Sequence, residues 1–182
     1  ETVYSMSGDV CPIKEVADLK DKYNFTYYVD EAHSFGFYGP QGRGFCAEQN
    51  ILDKVDLIMT TLSKSTGSLG GIVSCSHELA AYIQYQANSY IFQASVSPAD
   101  AGAVFKALEI LSTDDSYRIR LWDNTMYFRQ KLLAAGFDLR DSQSPIIPVY
   151  IRDPLTLATL CKNIFSRGVF TNWISYPVVK IH

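Results

Sequence analysis

Residues 60–71 read TTLSKSTGSLGG, and this stretch decides how the rest of the chain is interpreted. It follows a short apolar run, residues 55–59, which predicts a buried strand. Lys64 therefore stands near a strand end, where we expect its amine to be partly desolvated. A neutral lysine amine is a nucleophile toward carbonyl groups and can form a Schiff base. The hydroxyl-bearing and small neighbours suit a phosphate group. Taken alone, the segment is equally consistent with an ordinary surface lysine in a polar turn.

The composition is that of a globular protein, with 47% hydrophobic and 19% charged residues. A length of 182 residues allows one sizeable domain or one and a half. The net charge of −3, without a basic cluster, argues against a nucleic-acid partner. The apolar runs are too short to span a bilayer. We therefore expect neither a nucleic-acid partner nor a membrane span.

The cysteines and histidines do not suggest a metal site. The four cysteines are widely scattered, and the three histidines share no ligand spacing with them. We therefore expect reduced thiols, no metal and a cytoplasmic location. The cysteines stand at positions 11, 46, 75 and 161.

Periodicity and turn chemistry predict both helices and strands along the chain. The predicted helices cover residues 12–22, 45–50, 77–86, 98–111, 115–135 and 154–166. The predicted strands cover residues 25–29, 55–59, 71–75 and 146–151, with residues 88–98 irregular and 169–176 extended. The strand, helix and extended segment that follow the two long helices suggest a second, smaller α+β unit that starts near residue 137.

A second polar group follows the first predicted strand. Residues 25–29 are aromatic or β-branched and end at Asp30, with His33 three residues later. In open α/β folds, ligands bind at the carboxyl ends of the strands. Taken singly, Asp30 is equally consistent with a helix cap or turn, and His33 with a structural histidine.

The combination is more specific, because Lys64 follows the next predicted strand, 34 residues after Asp30. Pyridoxal phosphate (PLP) requires a lysine for its aldehyde and an acid at its pyridine nitrogen. It also requires a donor near its phenolic oxygen and hydroxyls for its phosphate. Asp30, His33, Lys64 and the hydroxyl groups of residues 60–63 supply these types in order.

At this point the sequence resembles the α-oxoamine synthases, PLP-dependent enzymes of the fold-type-I superfamily. The matching segments occur in the expected order along nearly the whole chain. They are VYSMSGD (3–9), VDEAHSFG (29–36), GPQGRG (39–44), TLSK (61–64) and YIFQASVSP (90–98). The resemblance implies an α/β fold made of part of a large, mainly parallel-sheet domain that binds PLP (1–112), a connecting helix (113–136) and part of a small α+β C-terminal domain (137–182).

The resemblance also implies a role for individual residues. Lys64 is the Schiff-base lysine and later the proton-transfer base, and Asp30 pairs with the pyridine nitrogen. His33 and Ser5 lie near the phenolic oxygen. The phosphate-side residues are Thr61, with Ser63 beside it, and Ser95, which reaches the cofactor of a partner subunit and so implies a homodimer.

The implied reaction condenses an amino acid with an acyl-CoA or acyl-carrier thioester, usually with decarboxylation, to give an α-aminoketone. An aminotransferase of the same fold and a non-catalytic partner subunit are the alternatives. Ser7 departs from the family pattern, which has an acid at this position. The resemblance further implies an internal fragment that lacks the N-terminal half and the substrate-carboxylate arginine, and we expect the fragment alone to be inactive.

Overall fold

The computed structural model describes residues 1–179, which contain a three-stranded sheet. Its strands are β1 (Tyr28–Asp30), β2 (Leu57–Thr61) and β3 (Gly71–Cys75), in that order. β1 and β2 are parallel, with Asp30 opposite Met59, so their carboxyl ends lie at one edge. β3 runs antiparallel to β2, and the loop between them carries Lys64.

Seven α-helices lie among the described residues, besides three short 3₁₀ turns. They are α1 (Ile13–Asp18), α2 (Phe45–Glu48), α3 (His77–Gln86), α4 (Asn88–Ile91), α5 (Pro98–Thr113), α6 (Ser116–Ala134) and α7 (Pro154–Ser166). Local chemistry sets their ends. Ser97 caps α5 by accepting from the N–H of Asp100, and Asp153 caps α7 in the same way. Gly136, just after α6, has φ +82°, a backbone conformation that favours glycine.

The core lies beneath the sheet and joins α1, β1 and α2. Its buried apolar residues are Val3, Ile13, Ala17, Val29, Tyr38, Phe45, Cys46 and Ile51. α6 packs on this core through Trp122, whose ring contacts that of Tyr38 edge-to-face, with 5.3 Å between the ring centroids. The Trp122 indole N–H also donates to the carbonyl of Phe37 at 2.9 Å. This bond fixes α6 against the loop that follows β1.

The strand boundaries differ from those predicted. β1 covers only Tyr28–Asp30, and β2 begins and ends two residues later than the predicted 55–59. Asp56 precedes β2 because its carboxylate accepts from the N–H of Tyr27 at 2.6 Å and pairs with Lys20 at 2.5 Å. Thr60 and Thr61 are consequently strand residues paired with β3, not turn residues.

The prediction of a strand at residues 146–151 is wrong. Within residues 1–179 this segment forms no ladder, and its backbone contact is the N–H of Tyr150 on the carbonyl of Asp138 at 3.1 Å. Pro148 removes one ladder donor. Residues 169–176 likewise pair with no strand, and the predicted irregular stretch 88–98 contains α4. The division into three parts stays a prediction, and residues 180–182 of its last part lie outside the described residues.

The helices of the described region can also be compared with the requirements for a membrane span. Among residues 1–179, no helix is both long enough and apolar enough to cross a bilayer; α6, the longest with 19 residues, is too polar.

Candidate active site

The centre of the candidate site is the pair Lys64 and His33. Nζ of Lys64 lies 3.0 Å from Nε2 of His33. Lys64 belongs to the loop after β2 and His33 to the turn after β1, so the parallel pairing of these strands brings them together. The expected desolvation of Lys64 is not found, because its side chain is exposed in the described chain. The loop projects the amine outward from the sheet edge.

The protonation of His33 follows from its surroundings. Burial lowers the pKa of His33 below its usual value, and the positive charge of Lys64 lowers it further. The carboxylates of Glu1 and Asp30 act in the opposite direction. A neutral imidazole leaves Nε2 free to accept a hydrogen bond from the Lys64 ammonium when the ring proton is on Nδ1. The pair can therefore hold a proton without two adjacent positive charges.

Asp30 is the last residue of β1 and lies at the same edge. Its Oδ1 accepts the N–H of Ala32 at 2.8 Å, which fixes the carboxylate against the following turn. A carboxylate offers about four acceptor positions, so this one retains capacity for a ligand N–H. Its half-buried position and negative charge suit a protonated ring nitrogen.

Ser5 reaches this edge through the N-terminal segment. The N–H of Thr2 donates to the carbonyl of Asp30 at 2.9 Å, and the Thr2 hydroxyl bonds that of Ser34 at 2.7 Å. Val3 pairs with Val10 in an isolated antiparallel bridge, and Ser5 lies in the turn between them. Ser5 thus lies at the sheet edge, and its N–H donates to Oε2 of Glu1 at 3.3 Å.

Thr61 and Ser63 form a hydroxyl pair beside the lysine. Their side-chain oxygens lie 2.8 Å apart, and the N–H of Ser63 also donates to the Thr61 oxygen at 3.3 Å. Thr61 is half-buried at the end of β2, while Ser63 is exposed. Two hydroxyls and neighbouring backbone N–H groups are the donors that a phosphate uses.

The loop that carries Lys64 is closed on itself. The N–H of Leu62 donates to the carbonyl of Gly70 at 2.9 Å, and the buried Thr66 hydroxyl donates to the carbonyl of Leu62 at 2.7 Å. The Ser68 hydroxyl donates to Oδ1 of Asp100, in the first turn of α5, at 3.1 Å. These bonds hold the backbone on both sides of the lysine.

Ser95 does not join the lysine cluster. It is exposed in the segment between α4 and α5, and the neighbouring Val96 packs against Gly70 at the end of the lysine loop. The structure thus brings together Lys64 with His33 and Thr61 with Ser63, and it sets Asp30 at the same edge.

One residue of the site region was missed by sequence reasoning. Glu31 directly follows Asp30 and is only 1% exposed. Both of its carboxylate oxygens accept backbone N–H groups of α2. The available signals were a charged residue inside the VDEAHSFG segment and Gly44 in the GPQGRG segment, since glycine often marks a close approach of the backbone to another group.

Comparison with known proteins identifies the family and the fold. The aminotransferase class I and II family matches residues 1–180, and the chain belongs to this family. Its relatives are α-oxoamine synthases, so the resemblance stated from the sequence is confirmed. The fold prediction is also confirmed, because the structure superposes closely on PLP-dependent members of fold type I.

Three relatives illustrate the similarity. The chain is 38% identical to the 8-amino-7-oxononanoate synthase of Thermosipho melanesiensis, over 97% of this chain and 45% of that protein. It is 40% identical to the serine palmitoyltransferase of Sphingobacterium spiritivorum, over 97% and 44%. The structure of SPT with PLP internal aldimine matches with a TM-score of 0.92 and 34% identity, over 97% of this chain and 45% of that one. The chain thus spans less than half the length of these relatives.

Proposed function

We propose that the protein is a PLP-dependent acyltransferase, which condenses an amino acid with an acyl-CoA or another acyl thioester and forms an α-aminoketone, usually with decarboxylation. The observation that carries the proposal is the 3.0 Å approach of Lys64 Nζ to His33 Nε2 at the sheet edge that also holds Asp30. The relatives that bear the names of such enzymes support it.

The residues at the edge fit the cofactor. Lys64 offers an exposed amine for its aldehyde, Asp30 offers acceptor oxygens for its ring N–H, and Thr61 with Ser63 offers hydroxyls for its phosphate. His33 and Ser5 are assigned to the side of the phenolic oxygen. When bound, PLP supplies an electron sink for the α-carbon of the amino acid.

Different side chains then have different roles in proton transfer. As the neutral amine, Nζ of Lys64 would take the α-proton of the amino acid, and the neutral His33 ring beside it would accept a hydrogen bond from the resulting ammonium. Asp30 holds a positive charge at the ring nitrogen by ionic pairing. The lysine loop, tied to Asp100, keeps Nζ in reach of the substrate.

We assign Ser95 to the phosphate side of the site of a second subunit, in a homodimer. Its exposure in a segment that packs against the lysine loop supports this assignment. We also assign the enzyme to the cytoplasm, since all four cysteines are free thiols.

Borohydride reduction of the whole protein with PLP tests the proposal. We expect a reduced cofactor adduct on the peptide that contains Lys64, and its loss in Lys64→Ala. Lys106→Ala is the matched control, because Lys106 is an exposed lysine of α5. Persistence of the adduct in Lys64→Ala would refute the assignment. Incubation with amino acids and acyl-CoA then separates an α-aminoketone product from the keto acid of a transamination.

A further inference from the structure

Glu31 is a buried carboxylate with both oxygens bonded to one helix. Oε1 accepts the N–H of Cys46 at 2.6 Å, and Oε2 accepts the N–H of Phe45 at 3.1 Å. These N–H groups belong to the first turn of α2, where the helix itself supplies no acceptors. Burial raises the pKa of Glu31, while the hydrogen bonds from Cys46 and Phe45 oppose that change. The side chain therefore fastens the start of α2 to the end of β1.

The backbone of Glu31 starts the turn that carries His33. Its N–H donates to the carbonyl of Met59 at 2.8 Å, which continues the pairing of β1 with β2. Its carbonyl accepts the N–H groups of Ser34 at 3.0 Å and Phe35 at 2.9 Å. The position of His33 is thus set by the same residue that binds α2.

A chain of close contacts leads from Glu31 to the lysine loop. A Cβ placed on Gly44 would lie 1.4 Å from Oε2 of Glu31, so the loop passes directly over the carboxylate. Within that loop the N–H of Gly36 donates to the carbonyl of Gly42 at 2.8 Å. A Cβ on Gly36 would lie 2.4 Å from the Cβ of Ser65, the residue after Lys64. Gly36 therefore packs directly against the lysine loop.

We propose that Glu31 is a positioning residue that sets the geometry of the Lys64–His33 pair through the loop of residues 36–44. The proposal rests on the function proposed above for that pair. A carboxylate suits the position because two N–H donors require two acceptor oxygens. Glutamine has nearly the same shape but one acceptor oxygen, so its amide group would face a backbone N–H.

Hydrogen–deuterium exchange of the whole protein without cofactor tests the connection. In Glu31→Gln we expect about tenfold faster exchange in residues 42–46, through loss of a charge-assisted bond. We expect the same direction of change in residues 61–68. Glu109→Gln, which removes an exposed carboxylate of α5, should change neither segment. Unchanged exchange at residues 61–68, with faster exchange at 42–46, would overturn the proposal.

A pH profile distinguishes positioning from a purely structural role. We expect the midpoint pH for borohydride trapping of PLP on Lys64 to shift by about one unit in Glu31→Gln, with circular dichroism unchanged. An unshifted midpoint overturns the proposal. If Glu31→Gln does not fold, Glu31→Asp keeps both oxygens at a shorter reach and is subject to both measurements. If the wild-type protein forms no adduct at any pH, the proposed function is refuted instead. The exchange experiment still decides whether Glu31 is linked to the lysine loop.

Discussion

Nζ of Lys64 lies 3.0 Å from Nε2 of His33, although the two residues are 31 positions apart in the chain. The parallel pairing of β1 with β2 ends both strands at one edge, and the two residues follow those ends. Burial and the lysine charge keep the pKa of His33 low, so the imidazole is neutral and can accept a hydrogen bond from the ammonium. The pair is a consequence of topology combined with local electrostatics.

The lowered pKa of His33 predicts a pH dependence of stability. At pH values well above 6.5 the ring is neutral in both the folded and the unfolded protein, and it does not affect the free energy of unfolding. As the pH falls below that value, protonation favours the unfolded state, in which the ring has its ordinary pKa. His33→Gln should therefore lose less stability than wild type between pH 6.5 and the folded-state pKa.

Urea unfolding of the whole protein across this pH range measures the effect. His77→Gln, at the exposed first residue of α3, is the control and should follow wild type. If the free energy of unfolding depends on pH in the same way for His33→Gln and wild type, the lowered pKa of His33 is contradicted.

We expect the substitution Asp30→Asn to impair catalysis far more than cofactor binding. Asparagine keeps an oxygen for the N–H of Ala32, so the turn after β1 should remain folded. It has no charge to hold a proton on the ring nitrogen, so α-proton exchange of the amino acid should fall by about a hundredfold or more. Deuterium incorporation into the amino acid, followed by NMR, measures this. Asp123→Asn on the exposed part of α6 is the control, and near-normal exchange in Asp30→Asn would remove Asp30 from its role.

The helices and the site edge were predictable because their signals are local. The Ser97-Pro98 and Asp153-Pro154 pairs begin α5 and α7 at the predicted residues, and Gly136 follows α6. The acid and histidine after one strand and the lysine after the next placed three chemical groups at one edge. Their closeness needed only that the two strands be parallel neighbours, which the structure shows.

The features that were not predicted depend on distant partners. β2 extends to Thr61 because residues 60 and 61 pair with β3, and the identity of these two residues alone does not predict that pairing. An apolar run at residues 146–151 has strand composition, but a strand needs a paired neighbour. The role of Glu31 depends on N–H groups 14 and 15 residues away, which a carboxylate in a motif does not reveal.

Cys46 should be the least reactive thiol of the chain. It is fully buried in the core, and burial together with the neighbouring Glu31 raises its pKa, so little thiolate forms. The other three cysteines are partly exposed. Iodoacetamide labelling of the native whole protein, read by peptide mass spectrometry, should leave Cys46 unmodified after the others have reacted, and denaturation should make it reactive. Early labelling of Cys46 in the native protein would contradict its burial.

Two glycine-to-alanine changes should shift stability in opposite directions. Gly44 has φ +101°, and a Cβ there would overlap Oε2 of Glu31. Gly44→Ala should therefore cost about 3 kcal/mol or more, from backbone strain and the displaced carboxylate. Gly102 lies inside α5 with open space around its Cβ position. Gly102→Ala should stabilise by about 0.5–1 kcal/mol, because alanine loses less backbone entropy in a helix. Urea unfolding of the whole protein measures both, and equal stabilities for wild type and Gly44→Ala would show that the loop does not press on Glu31.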